Sequence, residues 1–276
     1  MGRGDRYDAT RVTLPSSLNG LFPYIMRGRN NSIAYFPVTV EVDALLEYID
    51  QSKGTDHEIT FFQACLTALT KILRARPQLN RYIQGRRLYQ RKDVVLSFIA
   101  RRAMEEDSTE TNVLVAVKSD DTAETLKAKL TGEIRLAKDG VETEDDKLVS
   151  LFYSMPRLLL RIAIKLIETW DFYFDTPKFL RGVDPLRCSV YIANLGSVGM
   201  GAPYHHLIEW GTCSIFMCIG QVRKAVIVGE GDVPVVRQVV DLTFALDERI
   251  ADGYYDARAL ELFKKYFAEP ALLQTI

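Results

Sequence analysis

The chain has few of the residues that build metal centres and disulfide frameworks. Its 276 residues include four cysteines and three histidines, and no Cys-x-x-Cys pair occurs. A zinc site is therefore not expected. Cys65, Cys188, Cys213 and Cys218 all lie in apolar segments, the pattern of reduced core thiols in a cytoplasmic protein. Neither sign of charge is in excess: 35 basic residues stand against 36 acidic ones, a formal net charge of −1. No global attraction to nucleic acid follows, nor to an anionic membrane. The opening "MGRGDRYDATRV" lacks the apolar run of a secretory signal. Repeats and low-complexity linkers are absent. The longest apolar region, 148–181, is broken by Arg157, Arg161, Lys165 and Glu168, which argues against a membrane-spanning helix.

What is present is enough apolar material for one large core, 47% of the residues. "SIAYFPVTVEVDALLEYIDQ" (32–51) alternates as a strand and then turns helical near Val42-Asp43-Ala44. Within 56–83, Thr60 can cap a helix whose apolar positions recur at three and four, and Pro77 ends it. Residues 85–102 predict a short hairpin, 111–120 a strand, 122–138 a charged amphipathic helix and 139–147 an acidic solvated loop. The region 148–181 predicts a helix buried in the core or in a subunit interface, with one polar stripe. An acyl-binding wall or a membrane-surface helix is the sharper alternative. Strands follow at 188–196 and 211–222, a hairpin partner at 225–246, then the amphipathic helix "DARALELFKKYFAEPALL". The expectation is a single α+β domain over residues 1–276, with a large mixed sheet and helices against it.

Candidate chemistry gathers near the C-terminus, in "NLGSVG" (194–199), "YHH" (204–206) and "DERIADG" (247–253). Taken alone, Asp247-Glu248-Arg249 reads as a solvated turn and Asp252-Gly253 as a turn signal. His205 and His206 read as packed or solvated loop residues. Asn194 and its glycines read as backbone punctuation.

In that order, however, the segments resemble the catalytic domain of the dihydrolipoamide acyltransferases of 2-oxo acid dehydrogenase complexes, relatives of chloramphenicol acetyltransferase. Their motif reads Asp-His-Arg-x-x-Asp-Gly after a Ser-Asn-Leu-Gly. The resemblance takes in "YIMRGRNNSIAYFPVTVEVDALLEYI" and "PQLNRYI" as well. It implies the chloramphenicol acetyltransferase-like two-layer sandwich and a homotrimer, with further assembly into a cubic cage left open. It also implies a site between subunits, with coenzyme A or acyl-CoA as co-substrate and a small-molecule acceptor. Metal, nucleic acid and a covalent lipoate on this chain are not implied. With a strand beginning by residue 33, lipoyl and subunit-binding domains are not expected.

Asp247, Arg249, Asp252 and Gly253 match the motif, while Glu248 stands where the family has histidine. By the resemblance, Asp252 would pair with Arg27 or Arg29 and hold the loop. The family's oxyanion serine or threonine falls on or next to His206. The expectation is therefore an exchanged dyad, with His206 or His205 as base and Glu248 as its orienting partner. The rival is an inactive family member that serves as a trimeric scaffold or acyl-ligand binder.

Overall fold

The computed structural model describes residues 4–13, 18–101, 110–140 and 144–276. In chain order it runs β1 (Ala9–Val12), the single turn α1 (Phe22–Ile25), β2 (Ile33–Glu41), α2 (Asp43–Ser52), α3 (Phe61–Ala75), β3 (Arg81–Gln84), β4 (Arg87–Arg91), β5 (Val94–Arg101) and β6 (Glu110–Val117). Then come α4 (Ala123–Asp139), α5 (Glu144–Tyr153), α6 (Arg157–Tyr173), β7 (Val190–Asn194), β8 (Ile215–Val228), β9 (Pro234–Asp247) and α7 (Gly253–Ala268). A large sheet has the order β2-β9-β8-β7-β5-β6, and a small one the order β1-β4-β3. The large sheet is mixed, as expected: β7 lies parallel to β5 and β8, and the other pairs are antiparallel.

Helix α3 is the centre of the core. Thr60 and Gln63 form a reciprocal capping box, with the Thr60 hydroxyl accepting from the Gln63 amide at 3.2 Å and Gln63 Oε1 accepting from the Thr60 amide at 3.0 Å. Its residues from Ala64 to Thr70 are buried on every side, which an all-round apolar helix requires. With α4 and α7 it covers one face of the large sheet, against Leu96, Ile192, Met217 and Phe244. The opposite face carries a smaller apolar cluster made of Cys188, Tyr191, Leu207, Phe216 and Cys218.

Four element boundaries differ from the sequence expectation. The hairpin turns at Gly85-Arg86, between β3 and β4, while β5 leaves for the large sheet. Asp139 ends α4, and the acidic run is helical again from Glu144 in α5; residues 141–143 lie outside the described residues. Strand β8 continues through Arg223 and Lys224 to Val228, so its hairpin turn is Gly229–Val233. The charged pair sits where the ribbon extends past the body and both strand faces meet solvent.

The largest difference is 148–181. It forms two helices interrupted at Pro156, and α6 has one buried residue, Asp171. The helix-bearing face of the large sheet is already occupied, so α6 has no sheet to cover. Within the protomer it is not a core helix, and its Ile167, Asp171 and Phe172 line a cavity with Gln84, Arg187 and Trp210. Its predicted polar stripe is real: Arg157, Arg161, Lys165 and Glu168 are all exposed.

Candidate active site

The motif "DERIADG" begins as β9 ends. Asp247 is the last residue of the strand, paired in register with Ile33 and fully buried. Its Oδ1 accepts from Arg249 Nε at 2.7 Å and Ser32 Oγ at 3.1 Å, and its Oδ2 accepts from Arg249 Nη2 at 2.7 Å. Arg249 Nη1 donates to the Met26 carbonyl at 2.8 Å. This two-pronged pair satisfies both buried charges and ties the motif to the 26–32 segment. Because residues 247 and 249 face inward, Glu248 faces out. Its amide donates to the Ser32 carbonyl at 2.9 Å and its side chain is exposed. Asp247-Glu248-Arg249 is therefore not a solvated turn: two of its three charges are core residues, and they present the third.

Asp252 does not take the predicted arginine partner. It is exposed and N-caps α7, accepting from the Tyr255 amide at 2.8 Å. Gly253 opens α7 with free space beside it. Arg27 is exposed. Arg29 is buried and spends its guanidinium on three carbonyls, those of Glu209 (2.5 Å), Gly211 (2.7 Å) and Ile83 (3.3 Å). A helix N-terminus offers Asp252 free amides one turn away, while the Arg29 guanidinium is turned onto carbonyls, with only its Nε left without a partner. Glu209 completes this corner by accepting from the amides of Arg29 and Asn30, both at 3.0 Å. Partial burial would raise its carboxyl, but the Asn30 and Arg29 amides and the Arg29 charge bring it below its ordinary value.

The histidines lie on the face of the large sheet opposite the helices. Asn194 leads from β7 into a single 3₁₀ turn, where Ser197 Oγ donates to its carbonyl at 2.8 Å. Gly196 is needed for close approach, since a Cβ there would collide with the Gly220 carbonyl. Gly199 adopts φ +76°, a left-handed conformation that favours glycine. The chain then returns along β8 and β9: the Gln221 amide donates to the Met200 carbonyl at 2.8 Å, and Thr243 Oγ1 donates to the Pro203 carbonyl at 2.5 Å. Leu207 is buried as the anchor.

Between these fixed points the rings stack in sequence. Tyr191 lies on Phe216 at 5.2 Å, Phe216 on His205 at 3.7 Å, and His205 on His206 at 4.6 Å between centroids. His205 Nδ1 donates to the His206 carbonyl at 2.7 Å. That bond places the proton on Nδ1 and leaves Nε2 as the acceptor in the neutral ring. His206 is the outer, exposed ring, and its nitrogens bond to nothing among the described residues. Within one chain no hydrogen bond joins Glu248 to either histidine among the described residues.

Sequence reasoning missed Asp256. It is buried in the first turn of α7, and its Oδ1 has no partner. Burial, then Asp252, then Glu248 push its carboxyl up to about 7. The signal was the four-residue spacing of three acids, 248, 252 and 256. It also missed a buried network in which Asp171 pairs with Arg6 and Arg187, and Arg187 with Asp184. The cysteines are free and buried, and burial raises the thiols of Cys65 and Cys188, so neither is a poised nucleophile.

Comparison with known proteins bears on this arrangement. The family model "2-oxoacid dehydrogenases acyltransferase (catalytic domain)" matches residues 184–275, a third of the chain. A probable dihydrolipoamide acetyltransferase from Listeria monocytogenes has a similar structure, with a TM-score of 0.61 at 15% identity over 93% of this chain and 95% of that one. The dihydrolipoamide acetyltransferase of Azotobacter vinelandii aligns with a TM-score of 0.62 at 14% identity, over 95% of this chain and 94% of that one. Its structure was solved to define the catalytic roles of a serine, a histidine and an asparagine. Chloramphenicol acetyltransferase aligns with a TM-score of 0.51 at 13% identity, over 95% and 99%. No curated protein matches in sequence. The motif of Asp247, Arg249, Asp252 and Gly253 falls inside the matched third, as do both histidines and Asn194. Residues 184–275 thus match the model of the 2-oxoacid dehydrogenase acyltransferase catalytic domain, on a chain with the chloramphenicol acetyltransferase-like fold.

Proposed function

We propose that the protein is a coenzyme A-dependent acyltransferase that works as a homotrimer in the cytoplasm, with the site formed between subunits. The observation that carries this reading is the braced, exposed ring of His206, backed by His205 and Phe216 on the sheet face. A rigid platform for an imidazole with free nitrogens is what a general base needs. His206 takes the proton of a thiol, hydroxyl or amine acceptor as that atom attacks the thioester carbonyl. Collapse of the tetrahedral intermediate expels coenzyme A as a thiolate, which takes the proton back from the imidazolium. Glu248, turned outward by the buried Asp247–Arg249 pair, orients the imidazole from the neighbouring subunit and stabilises its charged form. His205 positions His206 by stacking and by holding its carbonyl. Asp252 and Gly253 set the start of α7, Asn194 the entry to the histidine loop, and Arg29 the corner below the motif.

A carboxylate in the motif-histidine position favours a second reading, an inactive homologue that serves as a scaffold or acyl-ligand binder. Acyl-CoA turnover with a panel of thiols, amines and alcohols separates the two. His206→Ala and Glu248→Gln should each lower kcat/KM by 10²–10⁴ without shifting the melting temperature. Turnover unchanged in both variants overturns the dyad. No turnover and no thermal shift with any acyl-CoA supports the scaffold.

A further inference from the structure

Helix α6 divides into three arcs at 100° per residue. Leu160, Ala163, Ile164, Ile167 and Asp171 face the body, and Asp171 is anchored there by Arg6 and Arg187. Leu158, Leu159, Ile162, Leu166, Trp170 and Tyr173 occupy an adjoining arc about 120° wide, and all six are exposed, from 48% at Ile162 to 68% at Leu158. Arg157, Arg161 and Lys165, one turn apart, line the flank of that apolar arc, with Glu168 the one anion among them. On a chain of net charge −1, this surface is locally cationic. It also lies outside residues 184–275, the stretch that matches the acyltransferase family model.

We propose that α6 docks the protein in plane on an anionic phospholipid surface. The charge pattern identifies the occupant. An apolar arc alone would suit a protein partner equally, but a cationic stripe along its edge from Arg157 to Lys165 matches the boundary between acyl chains and anionic headgroups. The arginine and lysine stems lie along the apolar edge while their heads reach phosphate. Trp170 and Tyr173 stand at one end of the arc, with the mixed apolar and polar character that suits the interface. No helix among the described residues is long and apolar enough to cross a membrane, so the helix lies on the surface. Its anchoring by Asp171 supplies a preformed face, and no folding cost is paid on binding. The proposal is independent of the acyl-transfer reading.

The test is co-sedimentation of the full chain with vesicles of phosphatidylcholine alone or with 30% phosphatidylglycerol. Binding should require the anionic lipid and fall at least tenfold in 0.5 M salt. Arg157→Glu with Arg161→Glu should weaken it at least tenfold, since each cation near the surface contributes about fivefold. Ile162→Glu with Leu166→Glu should abolish it while circular dichroism stays unchanged. Tryptophan fluorescence should shift to the blue on vesicles in the wild type and in Trp210→Phe, but not in Trp170→Phe. Wild-type protein that ignores anionic vesicles overturns the proposal. So does binding that survives both charge reversals and salt. If the Glu variants instead dissociate an oligomer in sedimentation velocity and the wild type binds no vesicle, the face is a contact between copies and the proposal is wrong.

Discussion

The motif end of β9 and the helix α6 invert the usual placement of residues in opposite directions. At the motif, Asp247, Arg249 and Arg29 are buried among carbonyls and each other. On α6, Leu158, Leu166 and Trp170 stand in solvent. Both arrangements cost free energy in isolation. The motif recovers it within the chain, because every buried charge there meets an opposite charge or an oxygen. Helix α6 does not recover it within the protomer, and that asymmetry is why its apolar arc reads as a surface for something else. A buried charge is informative once its partners are known, and an exposed apolar arc once its flanking charges are known.

Substitutions can break this contrast. The largest effect is expected from Asp247→Ala, which strands the buried Arg249. Denaturant melts should show a loss of about 3–5 kcal/mol. Asp256→Asn tests the other buried carboxylate, and here the sign runs the opposite way. Its folded-state value, about 7, lies above the ordinary 3.8, so the folded state holds a proton that the unfolded chain has lost. Stability from this group is present below about pH 4 and drains away as the pH rises to 7. Asp256→Asn should therefore stabilise the protein by up to about 4 kcal/mol at pH 8 and not at pH 4, measured as paired melts. A melting curve for the wild type that is flat from pH 4 to 8 would contradict it. Asp252→Ala removes the cap of α7 and should cost about 1 kcal/mol. Leu166→Ala, on the exposed arc, should stay within about 0.5 kcal/mol. If it costs as much as Asp247→Ala, α6 is packed in solution and the comparison fails.

Much of the fold was legible because its signals are local. The Thr60 cap, the period of α3, the alternation of β2 and the Asn-Leu-Gly turn each depend on residues within a few positions. The motif order pointed to the acyltransferase fold, and the histidine pair was visible as two rings in a chain with three. Roles inside the motif were less legible. Asp252 and Asp247 are both acids near a strand end, and which one meets an arginine depends on which side chain the strand turns inward. Asp256 gave no sign of burial, since a carboxylate in a first helical turn usually faces water. The stack of Tyr191, Phe216 and His205 joins three segments that are distant in sequence.

The sequence by itself determined the local elements, the mixed α+β class and the signature of residues 184–275, because capping, periodicity and turn chemistry act between near neighbours. Tertiary structure decided which acid is buried, which histidine is held and which is free, and that α6 faces outward. Those outcomes depend on what occupies the space beside each residue, and here the helix-bearing face of the sheet was already filled.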